Sequence, residues 1–328
     1  MKNILVSINC ITYNHEKYIA DAIESFLMQK TNFKYEILIH DDASTDNTVN
    51  IIKSYENKYP DMIKPIYQTE NQYSKGIKVD QLNLERVKGK YIAICEGDDY
   101  WTDPYKLQKQ VNFMEDNLEC GMCFHATKII DAPTNKEIGI IKPYNKNCNS
   151  TTDDMILGGG AFIATNSILY RKELTDKIPD FFMSTDVGDY PLQVYLSTQK
   201  YAYYINDFMS AYRKNVEGSW TNRSLKGKGK DFLEKKIKNY CKDITMLEEF
   251  NKEFSRKYDA SVRKAVLERK CYTYLCKHDL KSLKVSDAYS FYRSLSINKR
   301  IKMILLSYFP YFYQRIASLK QLINLKLL

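Results

Sequence analysis

Cys95-Glu96-Gly97-Asp98-Asp99-Tyr100-Trp101 follows directly on the apolar run Tyr91-Ile92-Ala93-Ile94. The run reads as a buried strand, and the heptapeptide as the loop at its carboxyl end. Two adjacent carboxylates at a strand end repel each other, and a cation shared with another anion relieves that repulsion. Hard oxygen donors suit Mg²⁺ or Mn²⁺, ions that bridge a protein carboxylate to a diphosphate. Gly-Asp-Asp is also ordinary turn chemistry, so this stretch alone leaves a solvated turn open.

Working outward, Ile4 to Cys10 is a second strand candidate, followed by Thr12-Tyr13-Asn14 and a helix with apolar positions at Ile19, Ala22, Ile23, Phe26 and Leu27. Tyr35 to His40 is a third strand and runs into Asp41-Asp42-Ala43-Ser44-Thr45-Asp46-Asn47-Thr48. Ser44, Thr45 or Asp46 suits the cap of the helix carrying Val49, Ile51 and Ile52. The pattern is β-loop-α-β-loop-α, with polar residues at each strand's carboxyl end. In an open α/β sheet that edge is where ligands bind.

Strand-Thr-Tyr-Asn, strand-Asp-Asp-Ala-Ser-Thr-Asp-Asn-Thr and Glu-Gly-Asp-Asp-Tyr-Trp, in this order and spacing, resemble the family 2 glycosyltransferases of GT-A fold over roughly residues 3 to 220. The resemblance implies an α/β GT-A catalytic domain at 1–224, with a nucleotide-sugar half (1–99) and an acceptor half (100–224). It also implies an inverting, metal-assisted transfer of a sugar from a UDP-sugar to a hydroxyl of a lipid-linked surface glycan, as in capsule or O-antigen assembly. Tyr13 can stack on a base and Asp42 can accept the base's ring N–H, with Thr12 and Asn14 as helpers. Tyr13 packing and Asp42 capping a helix are the structural alternatives. By resemblance Asp99 binds Mn²⁺ or Mg²⁺, and Asp98 contacts ribose or the metal's water. Glu96 replaces the first acidic residue of the commoner Asp-x-Asp-Asp form. Arg213 or Lys214 can meet the diphosphate. Many similar proteins carry His where Asn215 stands, which puts a further metal contact there in doubt.

Asp189, opening a helix with Leu192, Val194, Tyr195 and Leu196, matches the family's general base, with Asp186 as local competitor and simple capping as the alternative. A carboxylate of pKa ~4 is a weak base, so its proton transfer must be late and concerted with bond breaking. Gly158-Gly159-Gly160 lets backbone approach an acceptor closely, or forms a turn without a ligand. It is not a phosphate-cradling loop, since no Gly-Lys-Ser/Thr follows. Asp103 and Pro104 read as the cap and first turn of a helix.

The net charge of +9 is unevenly spread: 24 of 49 Lys+Arg but only 10 of 40 Asp+Glu lie in residues 225–328. That region has one proline and repeated i, i+3/i+4 apolar spacing after residue 230, and reads as basic helices. It suits an anionic membrane surface or a partner helix, including a homodimer. It carries no nucleic-acid-binding motif, so nucleic acid is not an expected partner. In residues 297–328, Pro310 divides two helical pieces, the second with a stripe of Phe312, Ile316, Leu319 and Ile323. The late uncharged run Met303 to Gln314 is shorter than the ~20 residues a spanning helix needs. The expected location is cytoplasmic and peripheral, on the inner face of the membrane. Asn222 to Lys230, rich in Gly and Lys, reads as a linker. Cys120 and Cys123 form a lone C-x-x-C in an apolar segment and read as reduced core residues. A non-catalytic nucleotide-sugar-binding scaffold is the main alternative. A sugar nucleotidyltransferase is the lesser one, because the loop after the first strand lacks the glycines that class uses.

Overall fold

The computed structural model describes residues 3–185, 188–219, 222 and 230–309. Ten strands form one sheet: β1 (Ile4–Thr12), β2 (Lys34–Asp41), β3 (Ile63–Tyr67), β4 (Tyr91–Ile94), β5 (Tyr100–Trp101), β6 (Cys120–Asp131), β7 (Lys136–Ile141), β8 (Cys148–Ser150), β9 (Leu169–Arg171) and β10 (Tyr201–Lys214). The order is β3-β2-β1-β4-β9-β6-β10-β5, with β7 on β6 and β8 on β10. β3, β2, β1 and β4 are parallel. β9 runs antiparallel between β4 and β6 and makes the sheet mixed.

Helices α1 (Ile19–Leu27), α2 (Thr48–Lys58), α3 (Val79–Leu84) and α4 (Lys106–Asp116) connect the first strands. Because helices flank the parallel strands, β1 is buried on both faces: Val6, Ile8 and Cys10 on one face pack with Ile19, Ile23 and Phe26 of α1, and the other face carries Ser7 and Asn9. The polar exceptions are satisfied. Ser7 donates to Glu36 at 2.6 Å, and the Asn9 side-chain oxygen accepts from Asn83 at 2.8 Å. Trp101 packs edge-on against Phe26 with ring centres 4.8 Å apart.

The parallel strands end at one edge, and their backbone pairing continues into the loops. Asp42 N–H donates to Thr12 O (3.0 Å), Gln68 N–H to Asp41 O (2.9 Å) and Gly97 N–H to Ile11 O (2.9 Å). The acceptor half adds α5 (Thr152–Gly158) and α6 (Asp189–Gln199). β10 is far longer than the Tyr201–Ile205 segment its sequence advertises. It pairs with β6 through three register shifts, one of which, between Ile205 and Phe208, absorbs the polar Asn206-Asp207 interruption. Pro104 lies ahead of α4 and not inside it: Asp103 accepts from Tyr105 N–H at 2.8 Å, and the helix begins at Lys106.

The chain divides into two compact units. One holds the sheet and runs to Val216, apart from Pro179–Thr185, which belongs with Glu217 onward in the other. The second unit contains α7 (Lys230–Glu253), α8 (Asp259–Cys276), α9 (Leu280–Val285), α10 (Ala288–Ser294) and α11 (Ile297–Tyr308). Its core includes Cys271, Leu275, Leu283, Ala288 and Met303. The Phe312–Ile323 stripe, and all of the Asn222 to Lys230 linker except Asn222 and the first residue of α7, lie outside the described residues. Cys120 and Cys123 are buried on β6 as free thiols, and burial pushes the Cys120 thiol up to about 12. Among the described residues no helix is long and apolar enough to cross a membrane.

Candidate active site

The loops after β1 and β2 are laced together. Asn14 takes a left-handed conformation, φ 55°. Its N–H donates to Ser44 Oγ at 2.8 Å, and its side-chain oxygen accepts from Thr45 N–H at 2.7 Å. Ala43 is also left-handed, φ 64°, and Ser44 N–H donates to Asp41 at 3.0 Å. His15 N–H donates to Thr48 Oγ1 at 2.8 Å. Asn14 is therefore a tie between loops, and Tyr13, half-buried, is presented by a braced turn.

Asp42 is 3% exposed. Its carboxylate accepts from the backbone N–H groups of Gln72 (2.7 Å) and Tyr73 (3.1 Å). It thereby clamps the loop after β3, a role sequence reading did not anticipate. His40 Nε2 lies 3.6 Å from it, and burial lowers that imidazole's pKa.

Asp98 and Asp99 differ sharply. Asp99 is 1% exposed. One oxygen accepts from Asn166 Nδ2 and the other from Arg213 N–H, both at 2.8 Å. Burial, then the charge of Asp98, push its carboxyl well above the usual range, while those two donors pull the other way. Asn166 is the hub of a buried network: it also donates to Ala211 O, accepts from Ser210, and takes the Trp101 indole N–H on its carbonyl. Asp98 is the more open carboxylate, with Oδ2 3.8 Å from His15 Nε2. The packing gives the two carboxylates of the expected metal motif different surroundings. It holds Asp99 inside the fold and turns Asp98 toward the edge. Gly97 permits the close approach of this loop, since a Cβ there would lie 2.6 Å from Thr12 Oγ1.

Arg213 does not reach outward either. It is 7% exposed, and its guanidinium donates to Asp98 O at 3.0 Å. It also pairs with Asp21 and lies 4.4 Å from the Tyr100 ring centre and 5.1 Å from that of Tyr18. It braces the Asp98 peptide. Asn215 donates to Asp131 at 2.7 Å, so its amide is turned to the β6–β7 turn. Lys214 is exposed.

On the acceptor side, α5 is closed by a Thr151–Asp154 capping box. Gly158 and Gly159 are explained locally. A Cβ on Gly158 would meet the Phe162 ring at 2.3 Å, and Gly159 caps the helix with φ 70°. Tyr190 ties α6 to α5 by donating to Ile156 O at 2.6 Å. Asp189 opens α6, where the helix dipole is complementary to a carboxylate. Asp186 lies outside the described residues.

Residues 7–179 match the family model described as Glycosyl transferase family 2. The chain belongs to that family. Its mixed sheet, helical flanks and helical C-terminal region are those of the GT-A fold. An uncharacterized protein of Mycobacterium tuberculosis is 36% identical over 218 residues, which cover 66% of this chain and 60% of that protein. The Escherichia coli UDP-Glc:alpha-D-GlcNAc-diphosphoundecaprenol beta-1,3-glucosyltransferase WfaP is 35% identical over 162 residues, 47% of this chain and 60% of WfaP. The match thus spans less than two thirds of either relative. The solved mannosyltransferase PcManGT of Pyrobaculum calidifontis, in complex with GDP-Man and Mn²⁺, superposes with a TM-score of 0.53 at 16% identity, covering 99% of this chain and 88% of that one.

For this glycosyltransferase, sequence reading missed three contributors. Asn166 lies in a short 3-10 turn with no motif around it. The Gln72–Tyr73 loop carries its role in backbone amides. Asn83 and Arg86, on and after α3, reach the carbonyls of Leu38 and Ile39 at the end of β2; their three-residue spacing on a helix was the available signal.

Proposed function

We propose that this chain transfers a sugar from a UDP-sugar to a hydroxyl of a lipid-linked surface glycan, by single displacement with inversion. The observation that carries the reading is the pairing of the buried, hydrogen-bonded Asp99 with the less enclosed Asp98 at the carboxyl edge of β1, β2 and β4. Such an edge suits a nucleotide diphosphate. UDP and the lipid-linked acceptor are taken from the WfaP description, and Mn²⁺ from the PcManGT complex.

The donor chemistry at this edge fits a hard divalent ion: Asp98 offers a carboxylate, and each Asp99 oxygen, having accepted one hydrogen bond, keeps a lone pair. Bound there, Mn²⁺ or Mg²⁺ would offset charge on the diphosphate leaving group. Asp99, Asn166 and Arg213 fix the Asp98 peptide. Tyr13 offers an aromatic face to the base. Each oxygen of Asp42 retains a lone pair for the base's N–H, and Thr12 and Asn14 hold the turn between them. Asp189 takes the proton of the attacking hydroxyl late in the reaction. Residues 1–224 form the catalytic part of this proposal, and 225–328 its basic helical region.

Hydrolysis of a panel of nucleotide sugars by the full chain, with Mn²⁺, Mg²⁺ or chelator, tests the reading. Metal-dependent release of UDP from one sugar nucleotide is expected. UDP binding without turnover of any donor, even with polyprenyl-diphosphate sugars added, would point to a nucleotide-sugar-binding scaffold.

We further propose that α11 sits on an anionic inner membrane face. Ile297, Ile301 and Phe309 are exposed at four- and eight-residue spacing, whereas Met303 and Ser307 are buried. Lys299, Arg300 and Lys302 accompany the exposed stripe, and no Asp or Glu follows Asp287. Basic residues near an anionic bilayer contribute about 1 kcal/mol each. A homodimer through the same stripe is the competing outcome of a flotation test.

A further inference from the structure

We infer that His15 is a second protein ligand of the divalent ion, paired with Asp98. The inference rests on the metal reading above and deepens it. His15 Nε2 and Asp98 Oδ2 face each other at 3.8 Å. That is too long for a hydrogen bond. Two cis ligands of an octahedral ion with bonds of about 2.1 Å lie about 3 Å apart, so a closing of the gap by under about 1 Å lets one ion reach both atoms.

The ring is already oriented. Thr12 Oγ1 lies 3.2 Å from His15 Nδ1. When Nδ1–H donates to this oxygen, Nε2 carries the lone pair and points at Asp98. A metal-binding imidazole characteristically has its other nitrogen held in this way. The backbone is fixed on both sides: His15 N–H is bound to Thr48, and its carbonyl accepts from Tyr18 and Ile19 at 2.9 Å each. Thr12 in turn sits directly against Gly97, where a side chain would displace its hydroxyl. Gly97, Thr12, His15 and Asp98 therefore form one positioned chain.

No third His, Cys, Asp or Glu completes a cage among the described residues. The remaining coordination positions fall to water and to diphosphate oxygens, as suits an ion that arrives with its substrate. An imidazole ligand biases the site toward Mn²⁺ over Mg²⁺, since nitrogen donors suit transition ions and Mg²⁺ keeps to oxygen.

The test uses the full chain and Mn²⁺ in the presence of UDP. Mn²⁺ is titrated by EPR, and pulsed EPR reads nitrogen coupling in protein with natural and ¹⁵N-labelled histidine. Wild type is expected to show directly bound histidine nitrogen. His15→Gln should lose that signal and bind Mn²⁺ at least tenfold more weakly, with a smaller change for Mg²⁺. Asp98→Asn should lose the ion altogether. If Asp98→Asn loses Mn²⁺ while wild type shows no histidine coupling, His15 is not a ligand and the metal reading stands. If neither variant alters Mn²⁺ binding, or wild type takes up none, both ideas fall. The wild-type spectrum decides the point even if a variant fails to fold.

Discussion

At the carboxyl edge of the sheet, side chains hold backbone. Asp42, Asp46, Asn14, Ser44 and Thr48 each bind a loop N–H. In the C-terminal unit, rings hold rings: Phe250 packs on Phe181, Phe254 and Tyr258, and Tyr240 stacks on Tyr272 at 5.4 Å. The first kind of bracing fixes direction, as a charged ligand requires. The second is tolerant of direction and leaves the outer face free to vary in charge. Substitutions at the edge should therefore cost chemistry, and substitutions on the helices should cost attachment.

The largest expected effect tests the edge. Asp98→Asn should lower donor turnover by about 10²–10³-fold, the scale of losing one electrostatic stabiliser, with the melting curve unchanged. A variant that turns over normally would break the contrast with Asp99. Asp189→Asn should cost about 10²-fold in transfer while leaving UDP affinity in calorimetry intact, the lower end for loss of a general base. Weakened UDP binding would show that Asp189 serves structure instead.

Asp99→Asn should act on stability. Asn can accept only one of the two hydrogen bonds that Asp99 receives, which sets a donor against a donor at a cost of about 1–3 kcal/mol in chemical denaturation. On the helices, Ile301→Asp should lower recovery with anionic liposomes several-fold but change folding stability by less than about 0.5 kcal/mol. Equal flotation, with a monomer where wild type dimerises, would replace membrane by partner helix.

A further effect, on the pH dependence of stability, concerns Lys106. It is fully buried against Trp101, and burial lowers its pKa from 10.5 to about 7. As pH falls, the unfolded chain takes up this proton first. The folded state therefore loses stability from about 10.5 down to about 7, and the loss levels off below. The stability difference between wild type and Lys106→Met, measured across pH 7 to 10, should follow that slope and cancel other titrations.

Strand–loop–helix order and the acidic loop were legible because period and turn chemistry are local. The division of labour within the acidic loop was not. Asp98 and Asp99 are chemically identical neighbours, and only Asn166 and the Arg213 N–H, 67 and 114 residues beyond Asp99 in sequence, decide which is buried. The setting of Arg213 was hidden for the same reason: Tyr18, Tyr100 and Asp21, distant in sequence, enclose its cation. The left-handed Asn14 could be guessed from residue type, the left-handed Ala43 could not.

Trp101 gives the edge an optical voice. Its indole N–H rests on Asn166, the residue that holds Asp99, and the Lys106 nitrogen lies 4.1 Å from the ring centre. The chain has only two tryptophans, so Trp220→Phe leaves Trp101 as the sole tryptophan, excited selectively at the red edge of the absorption band. Its fluorescence would then register, without any label, both the charge on Lys106 and the settling of the acidic loop as a nucleotide arrives.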